Sequence, residues 1–235
     1  MSTLKATPAG ATARPAGGLR RGGAPLLLPA ISYVVLALAG IIAPPLVAGV
    51  TPYSSDTALL DFYAEHTGAA HLLAFLVLGS SVPFAVFGAI ASHRVKEAGF
   101  DVPGRLIALV GATTAAALLA LSGMSTLALT QSGVSDEPAV VRALSGLSFA
   151  TGGPGFVTFS GLLLAGISVP ALLCRLTPRW VAVLGLAMAA VCLAASLAAG
   201  IPALNLLLPV GRFGTMIWIL AIAGTLSSSH SRSPR

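Results

Sequence analysis

From Ala24 to Val50 the chain runs without a single charged residue. Five more long apolar stretches follow it. A membrane helix needs about 20 mainly apolar residues to cross ~30 Å of hydrocarbon. Six segments meet that length: residues 24–50, 71–92, 106–130, 143–173, 180–200 and 206–226. They predict an all-α polytopic membrane protein, a six-helix transmembrane bundle. Composition agrees: 56% of the 235 residues are hydrophobic and only 9% charged, against roughly 25% charged in an ordinary soluble domain. So few charges cannot cover a soluble fold, which excludes a soluble globular enzyme, a disordered protein and a disulfide scaffold.

The basic residues set the orientation. Lys5, Arg14, Arg20 and Arg21 precede the first span. Arg94, Lys96 and Arg105 join the second to the third, Arg175 and Arg179 join the fourth to the fifth, and Arg232 and Arg235 follow the sixth. Eleven of the thirteen basic residues thus fall on one side, leaving Arg142 and Arg212 for the other. Both termini are expected in the cytoplasm and the protein in the cell's inner membrane. Of the acidic residues, Asp56, Asp61, Glu65, Asp136 and Glu137 lie outside, and Glu97 and Asp101 inside. The net charge of +6 forms no patch or stripe, so no nucleic-acid partner is expected. Membrane lipid and a membrane-protein partner are the partners in view. Residues 1–23, rich in Ala, Gly, Pro and Arg, read as a disordered cytoplasmic tail, and 227–235 as a second short tail. Arg20-Arg21 before an apolar run resembles an export signal, but the run is too long for one and five further spans follow. Cys174 and Cys192 have no CxxC spacing and read as small core residues.

The first outer loop, about 20 residues from Thr51, holds the densest polar group. Ser54 or Ser55 can cap a helix, Asp56 suits the positive end of its dipole, and Leu59, Leu60, Phe62 and Tyr63 supply an apolar face. We expect a short amphipathic helix at the outer interface, with Tyr53, Phe62 and Tyr63 at aromatic-belt depth and Gly68 permitting the bend into the second span. Asp61 and Glu65 lie four apart and share a helix face, the arrangement of an acid/base pair as well as of a solvated face. His66 and His71, five apart, give poor metal geometry, so no metal or other cofactor is expected.

An arginine inside hydrocarbon faces the bundle interior and pairs. Arg142 follows the helix start Ser135-Asp136-Glu137-Pro138, and Arg212 lies two turns into the sixth span. These two with Asp61 and Glu65 are the candidates for an outer polar cluster, with His66 and Asn205 nearby. It would serve as an ion-pair latch or as a site for a lipid headgroup or anionic solute. Gly152-Gly153-Pro154-Gly155 breaks the fourth span, a device that lines cavities in transporters. Pro44-Pro45, Pro83 and Pro170 are further kinks. Gly111, Thr113, Thr114, Ser122, Gly123, Ser125 and Thr126 in the third span, and Gly185 with Ala189 in the fifth, read as close-packing faces. No phosphate loop, HExxH or GxSxG pattern is present. No carboxylate lies at mid-depth in a span, which argues against a proton-driven pump.

Three stretches carry a resemblance: Phe62-Tyr63-Ala64-Glu65-His66-Thr67-Gly68, Asp136-Glu137-Pro138-Ala139-Val140-Val141-Arg142-Ala143-Leu144, and Leu176-Thr177-Pro178-Arg179-Trp180 with Leu184-Gly185. In these the chain resembles a domain-of-unknown-function family of small six-span membrane proteins of high-GC bacteria. The resemblance implies the topology and assigns no active residues. Three functions stay open: a non-enzymatic lipid-binding or accessory protein, the first choice; a membrane-embedded enzyme acting on a lipid or isoprenoid, terpene-cyclase-like, with Asp61 and Glu65 as acid and base; and a small-solute transporter using the broken fourth span.

Overall fold

Helix α1 (Leu27–Ala48) begins a chain that folds into helices alone, with no strand among the described residues. The computed structural model describes residues 25–48, 54–97, 103–134 and 137–229. The expected amino-terminal tail, Tyr53, Asp101, Ser135-Asp136 and the last residues from 230 lie outside these. After α1 come α2 (Asp56–Glu65), α3 (Thr67–Glu97), α4 (Pro103–Ala128), α5 (Pro138–Ala150), a π-helical turn (Thr151–Gly155), α6 (Phe156–Leu173) and α7 (Arg179–Ala194). Two 3-10 turns (Ala195–Ala199 and Pro202–Leu206) lead into α8 (Leu207–Ser229).

Five helical runs are long and apolar enough to cross a membrane: Thr67–Glu97, Pro103–Ala128, Pro138–Leu173, Arg179–Ala198 and Ala203–Leu226. They are the second to sixth expected segments, with ends shifted by a few residues. Helix α8 itself continues to Ser229, past the expected start of the tail. Packing order follows chain order. α1 packs on α3, α3 on α4, α4 on α6, α6 on α7 and α7 on α8, and α8 closes back on α1.

Side-chain size is sorted in the sense opposite to that of a water-soluble bundle. The buried face of α4 is small and includes Ala108, Gly111, Ala112, Ala115, Ser122 and Gly123. Its outward face carries Leu106, Ile107, Val110, Leu121 and Met124. Phe75, Val82, Val183 and Ile217 face outward in the same way on the other helices. Such a surface is a liability in water and ordinary in lipid, where close backbone approach rather than hydrophobic burial holds helices together. This is the organisation of a multi-pass membrane protein.

The closest approaches depend on glycine. A Cβ on Gly111 would lie 2.6 Å from Leu163 N and 2.8 Å from Phe159 O, so α4 meets the backbone of α6 there. Gly185 lies against Ser168 and the Trp218 indole, whose Nε1 donates to Val181 O at 3.2 Å. The Gly185 face thus packs as its small side chains suggest. Nearer the α2 end, an edge-to-face aromatic group fills the bundle. Tyr33 and Phe84 have ring centroids 4.9 Å apart, and Phe84 and Phe156 5.2 Å. Cys192 is a buried free thiol 3.7 Å from Thr215 Oγ1, and Cys174 is also free.

Candidate functional site: a chamber beneath helix α2

The expected short helix forms, and local chemistry explains its ends. Ser55 Oγ accepts from Ala58 N–H at 3.4 Å at the start of α2. The helix stops at His66, whose backbone (φ −119°, ψ 42°) leaves the helical region while its N–H still reaches Phe62 O. The bend into α3 is therefore at His66. Gly68, the expected pivot, lies inside the first turn of α3. Phe62 and Tyr63 bury their rings against Ala70, Leu129 and Val141, which fastens α2 over the ends of α3, α4 and α5. Burial pushes the Tyr63 phenol up to about 12.

Beneath α2 lies a chamber of about 480 Å³, within the usual range for small-molecule sites. Phe62 and Tyr63 roof it, Ile41, Leu73 and Val77 give apolar walls, and both Arg142 and Arg212 line it. Its remaining polar surface includes Ser122, Thr126, Ser145 and Ser148.

The fourth span is continuous where a break was expected. Thr151–Gly155 is a π-turn inside one helical run from Pro138 to Leu173. At 1.5 Å per residue such a run is ~54 Å long, much more than the ~30 Å of hydrocarbon. The run is therefore longer than a crossing needs, and Arg142 lies little more than one turn from its start. Pro154 has no N–H to give, and the helix accommodates it by widening. The Phe156 N–H that an α-helix would direct to Gly152 O goes to Thr151 O and Gly153 O. Gly152 O instead accepts from Arg212 Nη1 at 2.8 Å. The guanidinium also lies over the Phe156 ring, 5.2 Å from its centroid, in cation–π range. Its Nε is fully shielded and has no partner.

Of the expected cluster, Arg142 and Arg212 line the chamber, and so do Gly152 and Gly153 of the expected helix break. Asp61 and Glu65 do not: both are exposed on the outer side of α2. The expected pairing of Arg212 with Asp61 or Glu65 is absent, because a backbone carbonyl supplied by the π-turn takes the place of a carboxylate. His66 stacks on Phe62, centroids 6.0 Å apart and planes 11° from parallel, behind the roof rather than in the lining. Asn205 lies in the second 3-10 turn, outside the lining. His71 Nε2 is 3.0 Å from Thr130 Oγ1, a tie between α3 and the end of α4.

A hydroxyl cluster on the chamber wall was not expected as part of the site. Ser122 Oγ donates to Ser148 O at 2.8 Å, and Thr126 Oγ1 lies 2.8 Å from Ser148 Oγ. The signal was partly in the sequence, since Ser122 and Thr126 are one turn apart on α4. That α5 would bring Ser148 to them was not. Matched against protein-family models, curated proteins and solved structures, the chain gives no match.

Proposed function

We propose that this protein is a six-span inner-membrane protein, both termini cytoplasmic, that binds an anionic amphiphile in the chamber beneath α2 as a non-enzymatic lipid-binding or accessory protein. It is of the small bacterial kind that its loop motifs resemble. One observation carries the binding reading: a guanidinium anchored on a backbone carbonyl lines a largely apolar chamber with no carboxylate in its described lining. A cation held this way in low dielectric attracts an anion strongly and leaves donors to bind it. The apolar walls suit the chain attached to that anion. For a first span in addition to the five long ones, support comes from α1, whose 22 residues carry no charge and whose packing on α3 and α8 closes the ring. The distribution of the basic residues supports the orientation.

The enzyme alternative loses its proposed chemistry, since Asp61 and Glu65 stand outside the chamber. The transporter alternative relied on an unwound segment, and the fourth span stays helical.

The test is binding of a single-chain phosphate amphiphile to the full chain in a neutral detergent, read by native mass spectrometry. Arg212→Gln is expected to weaken it by about ten- to a hundredfold, the worth of hydrogen bonds to a charged group. Equal binding by the variant, or by a neutral amphiphile of the same chain length, defeats the reading. A reporter fused after Arg235 is expected to be active only on the cytoplasmic side.

A further inference from the structure

The polar wall of the chamber has two chemically opposite parts. Arg212 lines the chamber and is a donor only. The hydroxyl trio is the reverse, because each of its protons has an acceptor within the protein. Ser122 Oγ donates to Ser148 O at 2.8 Å and Thr126 Oγ1 to Ser122 O at 2.9 Å, and the Ser148 proton has Thr126 Oγ1 at 2.8 Å and Ser122 O at 3.1 Å to go to. What the trio offers a ligand is therefore lone pairs. All three line the chamber, and Ser148 is the most exposed of them, which makes its oxygen the one a ligand is expected to meet.

A donor wall beside an acceptor wall fits a ligand that carries an anion and a hydrogen-bond donor side by side. The volume narrows the class further. At about 30 Å³ for a group the size of a water, 480 Å³ holds about sixteen methylene-sized groups. On that scale the chamber takes a polar headgroup and the first few carbons of a chain, with the rest of the chain lying outside it. Resting on the anion-binding reading above, we propose that the chamber's ligand is a single-chain amphiphile with a hydroxyl next to its phosphate, the chemistry of a monoacylated glycerol phosphate. The phosphate lies at Arg212, the hydroxyl donates to Ser148 Oγ, and the chain follows Ile41, Leu73 and Val77.

The experiment compares five probes on the full chain in a neutral detergent: a monoacylglycerol phosphate, its O-methylated analogue, its diacyl counterpart, the uncharged monoacylglycerol, and inorganic phosphate. The monoacylglycerol phosphate is expected to bind best. Its O-methylated analogue should bind about fivefold more weakly, the worth of one hydrogen bond, and the diacyl form, which lacks the same free hydroxyl, at least as weakly. Ser148→Ala is expected to erase the advantage of the hydroxyl, so that the two single-chain phosphates bind alike; thermal unfolding checks that the variant is folded. Because the methylated analogue probes the same contact on the native chain, the test does not depend on the variant. Equal binding of the diacyl form, or no penalty for methylation, overturns this proposal while the anion site stands. Equal binding of the uncharged monoacylglycerol overturns the anion reading and this proposal together. Inorganic phosphate binding as tightly as the amphiphile would make the site one for a free anion and also overturn the proposal.

Discussion

The two ends of the bundle are built from the same residue types to different effect. Away from α2, glycine removes space: Gly111 brings α4 onto the backbone of α6, and Gly185 accepts the edge of Trp218. Beneath α2, Gly152 also admits a close neighbour, Ser122 of α4, but the turn it belongs to does something more. Gly152-Gly153-Pro154-Gly155 widens a helix turn, directs a carbonyl to Arg212 and borders a chamber of about 480 Å³. A small residue therefore has no structural meaning of its own in such a chain. What it does depends on whether a neighbouring backbone moves in to fill the gap.

Substitutions at the two ends test this contrast. The largest effect on stability is expected at Gly111→Ala. Its Cβ would meet backbone atoms, which cannot rotate away, so α4 and α6 must separate, at a cost of about 3 kcal/mol. Thermal unfolding in detergent measures it, and a shift no larger than that of a surface substitution would show that the contact is not tight.

Arg212→Met sharpens the comparison from the other side. It leaves the Gly152 carbonyl without its donor, a loss of about 1–3 kcal/mol, but it also removes a cation from low dielectric, an opposing gain of similar size. Stability is expected to change by no more than about 1 kcal/mol while anion binding falls tenfold or more. Unfolding of the variant would make Arg212 a structural latch.

The roof has its own signature in alkali. With the folded-state pKa of Tyr63 raised above 10.0 to about 12, its contribution to stability is complete below pH 10 and is lost as the pH rises through 12. Ligand affinity is expected to fall over that window, and Tyr63→Phe to remove the dependence; persistence in the variant would assign it to another group.

The smallest effect belongs to Gly146→Ala, on the chamber side of α5, where an added Cβ meets nothing within 4 Å. Replacing a mid-helix glycine there is expected to stabilise by up to about 1 kcal/mol.

Much of this was legible in the residues. Span positions followed from hydropathy, because hydrocarbon requires every backbone group to be satisfied within its own helix. The helix at Asp56–Glu65 followed from its cap and apolar face, and Arg142 and Arg212 were marked as the two cations out of place. The carboxylate partners were misread. Asp61 and Glu65 were linked to the arginines by charge alone, and charge does not say which face of α2 docks. Phe62 and Tyr63 decide that by burying their rings, which turns Asp61 and Glu65 outward.

Sequence alone determined the solvent of this protein and the number of its apolar segments, since both depend on the sum and spacing of side-chain transfer free energies along the chain. Tertiary structure decided what answers Arg212. Its partner is the Gly152 carbonyl, sixty residues away in the chain and redirected by a π-turn that composition does not reveal. Tertiary structure also gathered Ser122, Thr126 and Ser148 into one acceptor wall, because the side chains that meet across a bundle depend on how its helices rotate and approach, and small residues leave many such arrangements open until they pack.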